Sequence, residues 1–519
     1  MTKTLATQQR PASKQSWSGR TFFVVVLAAA VAMVSSAQTA APKPALTAKA
    51  PAQAEPWTKI PIPPLHAFKP KEPRRVVLSN GLVLFLQEDH ELPFINGFII
   101  IRGGSRDEPA SKIGLVSLYG QTWRTSGSTS VSGDALDVQL ASKAASIETG
   151  GSIATTSLGW SSLKGDFDSV FGSAVDLLMH PAFKEDKLQL GKRQMEARIA
   201  RRNDDAEAIA GREAVQLVYG PTSPYARLSQ YATVEAVTLD DLKAWHNRTV
   251  VPNNMLIGIS GDFDSAAMEA KIRAVFEPLA RGPAIEAPRL EFPGPTPGVY
   301  FANKSDVDQS TVFIVGLGTQ QNNPDYYALS IMNEVFSGGF GSRVFQYVRT
   351  KLGLAYEVDG SFSAAYDHPG IFYTVAATKS STTVPATQAM LEEIGRLKTK
   401  PPTPEELHNA KDEELNSFIF NYDTPEKTLN EQVTLDFYGY PSDFLEKYKD
   451  GIERVTSADV TRVANKYIDV SKLAIVAVGN KAEIAPPLSE LGKVNDLDIA
   501  IPPPPGKPAA KAAAGGVGH

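Results

Sequence analysis

Val237-Thr238-Leu239-Asp240-Asp241-Leu242 leads through a helical pattern into Met255-Leu256-Ile257-Gly258-Ile259-Ser260-Gly261-Asp262. The arrangement returns as Val455-Thr456-Ser457-Ala458-Asp459-Val460, then Asn465-Lys466-Tyr467, then Leu473-Ala474-Ile475-Val476-Ala477-Val478-Gly479-Asn480. The offset is 218 residues at the Val-Thr pair and again at the closing glycine, so the match runs without a gap. Upstream, 181–198 resembles 402–418: each has an acidic start and then a long charged helix. A repeat this long predicts two copies of one domain of about 200 residues, near 73–288 and 291–497. Pro288, Pro293, Gly294, Pro295 and Pro297 mark a junction near 280–295, where two lobes would meet.

Within the first copy, Val76–Leu78 and Leu82–Leu86 flank Asn80-Gly81, the strongest short signal for a hairpin. Phe94–Arg102 is an Ile-rich strand, and Ser146–Leu163 reads as a second hairpin. Phe167, Val170, Phe171, Ala174, Leu177 and Leu178 recur at helical spacing, and 184–202 is a charged helix. Strands and helices come in blocks instead of strict alternation, which favours an α+β fold with antiparallel sheet.

The ends read differently. Lys3, Arg10, Lys14 and Arg20 precede an apolar run from Thr21 to Met33, and small residues follow at Ser35-Ser36-Ala37. This is the pattern of a secretory signal over 1–37, and about 13 apolar residues fall short of the roughly 20 that span a bilayer. A periplasmic or secreted protein with no stable membrane span after cleavage is expected. Residues 38–72 are a Pro/Ala-rich tether and 498–519 a disordered tail, since neither carries enough apolar side chains to pack.

Composition narrows the functions further. A formal net charge of -5 offers no basic face for nucleic acid and no polybasic anchor for acidic lipid. The absence of cysteine excludes disulfides, thiolate metal sites and cysteine nucleophiles.

The second copy contains Phe336-Ser337-Gly338-Gly339-Phe340-Gly341-Ser342-Arg343-Val344-Phe345 and then Arg349-Thr350-Lys351-Leu352-Gly353-Leu354-Ala355-Tyr356. A guanidinium and a phenol held together can donate hydrogen bonds to a peptide carbonyl and to the oxyanion formed when water attacks it. Glycines let a substrate backbone approach closely. This stretch resembles the M16 (pitrilysin/insulinase) peptidases, in which a glycine-rich segment precedes an Arg–x6–Tyr pair, commonly R-x-K-x-G-L-A-Y. The resemblance covers roughly 73–497 and implies two tandem M16-type (LuxS/M16 metalloenzyme-like) domains, each an antiparallel sheet flanked by helices. It implies Arg349 and Tyr356 as the substrate and oxyanion donors, with Gly338, Gly339, Gly341, Ser342 and Arg343 as the substrate-binding loop.

Catalytic M16 members carry H-x-x-E-H on a helix of the first domain and a further Glu about 75 residues on. Two His and that Glu hold zinc, and the motif's Glu is the general base. Here Ser117 stands at the first His, Gly120 at the base and Gln121 at the second His; Glu196 falls near the distal ligand without companions. His66, His90, His180, His246, His368 and His408 lie more than five residues apart, so no paired His ligands are in sight. No cofactor is expected in this chain. The resemblance implies the non-catalytic subunit of a bacterial pair: it grips unfolded peptide while an H-x-x-E-H-containing M16 partner holds the zinc. A non-proteolytic scaffold of the same fold and a stand-alone metallopeptidase with an atypical site remain the alternatives.

Overall fold

The computed structural model describes residues 69–506. The expected signal segment 1–37, nearly all of the tether and the end of the tail lie outside the described residues.

Six strands form the first sheet: β1 (Arg74–Val77), β2 (Val83–Glu88), β3 (Phe94–Arg102), β4 (Ser146–Gly151), β5 (Thr155–Leu163) and β6 (Met255–Gly261), in the order β1-β2-β6-β3-β5-β4. The second half supplies β7 (Gly298–Asn303), β8 (Gln309–Leu317), β9 (Thr319–Gln320), β10 (Glu357–Phe362), β11 (Ala364–Ala365), β12 (Ile371–Lys379), β13 (Ala474–Gly479) and β14 (Val494–Asp496). Its six-stranded sheet runs β10-β12-β8-β13-β7-β14, and β9 and β11 pair separately. Each sheet has one central parallel pair, β2–β6 in one and β7–β13 in the other. The next three pairings are antiparallel in both: β6–β3–β5–β4 and β13–β8–β12–β10. The sheets are two copies of one topology. They differ at the edge, where β1 pairs antiparallel with β2 but β14, from the other end of the chain, lies parallel to β7.

Fourteen helices accompany them among the described residues. The first half has α1 (Leu115–Ser126), α2 (Gly133–Ser142), α3 (Phe167–Met179), α4 (Glu185–Ala200), α5 (Ala206–Tyr219), α6 (Tyr231–Glu235), α7 (Leu239–Thr249) and α8 (Ser265–Phe276). The second half has α9 (Tyr326–Ser337), α10 (Thr383–Thr399), α11 (Pro404–Ile419), α12 (Pro425–Tyr438), α13 (Phe444–Arg454) and α14 (Ser457–Tyr467). The repeat found in the sequence becomes α7–β6 and α14–β13. Thr238 and Thr456 cap their helices in the same way, each with an Asp three residues on whose carboxylate accepts from the capping residue's N–H.

β6 and β13 are buried along their whole length. One face of β6 (Met255, Ile257, Ile259) joins the core of its own half, as Ile475 and Ala477 of β13 do in theirs. The other face of each strand is covered by a helix from the opposite half. Leu429, Val433 and Phe437 of α12 pack on Phe85 and Leu256, while Ile209, Ala210, Ala214 and Val218 of α5 pack on Val315, Ala474, Val476 and Val478. Polar links reinforce the exchange: Arg75 pairs with Asp436 at 2.7 Å, Arg102 donates to the Phe437 carbonyl at 2.7 Å, and buried Arg106 is paired with Asp367. Each fully buried aliphatic side chain contributes about 1.5–3 kcal/mol, so the two helices hold the halves as one unit.

The folded chain also runs past 497. Leu497, Ile499 and Ile501 alternate as half-buried positions against the cores, and Asn203 donates to the Ile499 carbonyl at 2.6 Å. The start of the segment read as a disordered tail is therefore docked. Its composition concealed this because three apolar side chains suffice when a groove is already built.

Candidate functional site

The helix that would carry the metal motif is α1. Ser117 is exposed near its start. Gly120 is buried, and its position explains its identity: a Cβ there would lie 2.8 Å from the Gly150 carbonyl carbon and 3.0 Å from the Gly150 Cα on β4. Backbone on the far side leaves no room for any side chain, so a carboxylate base at this position is excluded sterically as well as by sequence. Gln121 hydrogen-bonds to Gln194 on α4. Gln194, and not Glu196, is the α4 side chain bonded to Gln121. The three motif positions thus offer a hydroxyl, a bare backbone and an amide, which does not fit zinc, whose ligands are thiolates, imidazoles and carboxylates. Among the described residues, no group of three or more His, Cys, Asp or Glu lies close enough to hold a metal ion.

In the second half, α9 ends at Ser337 and the chain enters the glycine-rich loop. Gly339 adopts φ +65, the left-handed region that glycine reaches without strain. Ser342 donates to the Gly339 carbonyl at 2.8 Å and closes the loop on itself. A wide helical turn follows over Phe345–Lys351, with i→i+5 bonding such as Leu352 N–H to the Tyr347 carbonyl at 3.1 Å. Such turns displace a side chain from ordinary helical register and recur at functional sites.

Arg349 leaves this turn with its guanidinium carbon 5.3 Å from the Tyr356 ring centre and 4.8 Å from that of Phe345. Phe345 stacks edge-on with Phe340 at 5.0 Å. The four side chains form a row in the order Phe340, Phe345, Arg349, Tyr356, with Tyr356 77% and Phe340 76% exposed. The Tyr356 N–H is fixed by the Ala377 carbonyl at 3.1 Å, which continues the β10–β12 ladder and holds the ring at the sheet's end. Among the described residues, neither the Arg349 guanidinium nor the Tyr356 hydroxyl has a hydrogen-bond or ion-pair partner within the protein. Large exposed aromatics beside free donors are the equipment of a binding surface. Phe340 and Phe345 were not singled out from sequence; their contribution depends on a fold of the loop that no periodicity announces.

Arg343 is different. Nε and Nη2 form a fork to Glu406 at 2.7 and 2.8 Å, Nη1 donates to the Lys400 carbonyl at 2.8 Å, and Nη2 also reaches the Pro401 carbonyl at 3.1 Å. The Arg343 guanidinium and the Thr403 N–H hold the Glu406 carboxyl well below the usual range, at about 2. With its donors engaged, Arg343 ties the loop to the start of α11. It anchors the loop that the sequence reading assigned to substrate binding.

Near the loop, Glu334 of α9 is pushed up to about 7 by burial and by the nearby Glu414 and Glu413 carboxylates. In the first half, burial pushes His246 down to about 4; its Nδ1 meets the Tyr119 hydroxyl at 2.8 Å and its Nε2 the Leu178 carbonyl at 2.9 Å.

Fold and site together are similar to those of the M16 peptidases, with the positions of the metal motif substituted at Ser117, Gly120 and Gln121. Residues 236–414 match the family model described as the peptidase M16 inactive domain. The chain is 24% identical over 402 residues to a protein of Helicobacter pylori named non-peptidase homolog YmxG, covering 76% of this chain and 91% of that one. It is 23% identical over 318 residues to an uncharacterized zinc protease of Rickettsia felis, covering 60% of this chain and 74% of that protein. The crystal structure of a peptidase M16 inactive domain from Pseudomonas fluorescens superposes with a TM-score of 0.72 at 23% identity, covering 79% of this chain and 98% of that one. A protease structure from Helicobacter pylori gives 0.69 at 18% identity, with 79% and 100% covered. The M16 resemblance read from the sequence is thus shared by the family model, the relatives and the α+β fold.

Proposed function

We propose that this chain binds and orients unfolded peptides for a zinc-bearing M16 partner subunit. The observation that carries the reading is the exposed Arg349–Tyr356 pair, held rigidly by the wide turn and the end of β10 with its donors free. A peptide laid along the row from Phe340 to Tyr356 packs its side chains on the aromatics. Its carbonyl accepts hydrogen bonds from Arg349 and from the Tyr356 hydroxyl. Those bonds shorten and strengthen as negative charge develops on the carbonyl oxygen. The metal and the attacking water come from the partner, because Ser117, Gly120 and Gln121 supply neither ligand nor base. The basic and apolar stretch over 1–37, read as a secretory signal, supports a site of action in the periplasm or beyond.

A second reading, a peptide-binding protein with no part in proteolysis, is favoured by the steric closure of position 120 and shares the same surface. Binding of a fluorescently labelled unfolded peptide, followed by anisotropy, tests what the two readings have in common. Arg349→Ala is expected to weaken binding about tenfold, the effect of losing one charge-assisted hydrogen bond. Unchanged affinity in both Arg349→Ala and Phe340→Ala would remove the row from consideration as the peptide site.

A further inference from the structure

Beside Ser117, the start of α1, the end of α4 and the loop 224–229 enclose a cavity of about 410 Å³. Four guanidiniums line it: Arg198, Arg202, Arg212 and Arg227. The carboxylate in its wall, Glu108, is already committed, accepting from the Gly114 N–H at 2.9 Å and the Val116 N–H at 3.0 Å at the start of α1. Arg212 pairs with Glu213 at 2.9 Å. Arg202 and Arg227 donate to neutral acceptors: Arg202 to the Ser229 carbonyl at 3.1 Å and the Gln230 amide oxygen at 2.9 Å, Arg227 to the carbonyls of Ser105 at 2.8 Å and Glu108 at 2.6 Å. The Arg227 Nε is buried with no acceptor. Exposed Arg198 has no partner among the described residues.

Four guanidiniums therefore share the cavity with one lining carboxylate, Glu108, while Glu213 pairs with Arg212 and Asp107 acts on Arg227, and a buried guanidinium N–H is left without an acceptor. Burial, and after it the like charge of Arg212, pushes the Arg202 guanidinium below its ordinary value. Ile113, Met195, Ile199 and Leu228 give the cavity an apolar lining beside the arginines. A small inorganic anion would use the arginines and leave that lining wet. A ligand with an anionic group next to an aliphatic one uses both, and the volume is at the small end of ordinary ligand sites.

We propose that this cavity binds the free C-terminal carboxylate of a peptide whose last side chain is aliphatic. The carboxylate lies between Arg198, Arg202 and the Arg227 Nε, and the side chain lies on Ile113, Met195, Ile199 and Leu228. The site is built wholly from the first half. It goes beyond the Arg349–Tyr356 reading and does not depend on it.

The test is calorimetric titration of the full chain with acetyl-Ala-Ala-Leu as the free acid, as the C-terminal amide, and with inorganic phosphate as competitor. The expected result is binding of the acid, at least tenfold weaker binding of the amide, and about tenfold loss for the acid in Arg198→Ala, whose melting temperature stays at the parent value. The acid/amide comparison uses the unmodified protein and so is independent of any effect on folding. Equal affinity for acid and amide, or full affinity in Arg198→Ala, overturns the proposal. So does phosphate binding that the tripeptide acid fails to displace.

Discussion

The two halves share one blueprint and have diverged at one helix. α1 and α9 are both 12 residues long, and both end in Ser-Gly, at Ser126-Gly127 and Ser337-Gly338. Aligned on that ending, Ser117, Gly120 and Gln121 stand opposite Ala328, Ile331 and Met332. In α9 the position of Gly120 is filled by a fully buried isoleucine; in α1 it is shaved to hydrogen so that β4 can press against the helix. After the shared Ser-Gly, the second half builds the exposed row from Phe340 to Tyr356, while the first turns into α2. One scaffold has thus closed a site at the start of a helix in one copy and opened another beyond its end in the other. What stays constant is the α7–β6 and α14–β13 framework and the reciprocal helices that tie the copies together.

The exchange of α5 and α12 is the strongest feature common to both halves, and its removal gives the largest expected effect. Leu429→Ala and Ile209→Ala should each cost about 2–5 kcal/mol, the range for a buried aliphatic truncation. Urea melts should remain single transitions, because each sheet is completed by the other half. Two separable transitions in either variant would mean that the halves are stable without each other's helix. Next in size is Gly120→Ala, expected to lose about 1–3 kcal/mol by overpacking against Gly150. A denaturation midpoint equal to the parent's would show that position 120 is not sterically closed, and the contrast with Ile331 would lose its meaning.

Acid should separate the halves in the opposite sense. His246 has a folded pKa of about 4 against 6.5 ordinarily, so its contribution is whole above pH 6.5 and is lost as pH falls toward 4. Glu334, at about 7 against 4.5, binds its proton more tightly in the folded chain, so it favours folding increasingly as pH falls from 7 to 4.5. Glu334→Gln removes the second effect and leaves the first. The variant's stability should therefore drop more steeply than the parent's between pH 7 and 5, by about 1 kcal/mol at pH 5.5 in urea midpoints. Parallel profiles would count against the Glu334 assignment. The smallest effect sharpens the repeat itself: Thr238→Ala and Thr456→Ala, matched caps, should cost similar amounts of about 0.5–1 kcal/mol. A clear inequality in thermal melts would show that the two frameworks are not equivalent.

Much of this was legible in the residues. The gapless 218-residue repeat, the strands of β6 and β13 and the R-x-K-x-G-L-A-Y signature rest on local pattern, and each lies in regular structure or immediately beside it. The exchange of α5 and α12 was not legible, because an amphipathic helix does not say which sheet receives its apolar face. The same is true of Arg343, whose fork to Glu406 spans 63 residues. Spacing placed Glu196 near the degenerate motif, but the α4 side chain bonded to Gln121 is Gln194. The cationic cavity draws its arginines from α4, from the residues just after it, from α5 and from the loop before α6, a juxtaposition with no sequence signature.

The division between a closed half and an open one is tested most directly by peptide hydrolysis. The rate is to be measured for this chain, for a zinc-bearing M16 partner, and for their equimolar mixture. The expected result is no turnover by this chain, hydrolysis that rises on mixing, and a loss of about 10²-fold or more when the mixture contains Tyr356→Phe, since one oxyanion donor is removed. Turnover by this chain alone, or a mixture carrying Tyr356→Phe that works at the parent rate, would contradict it.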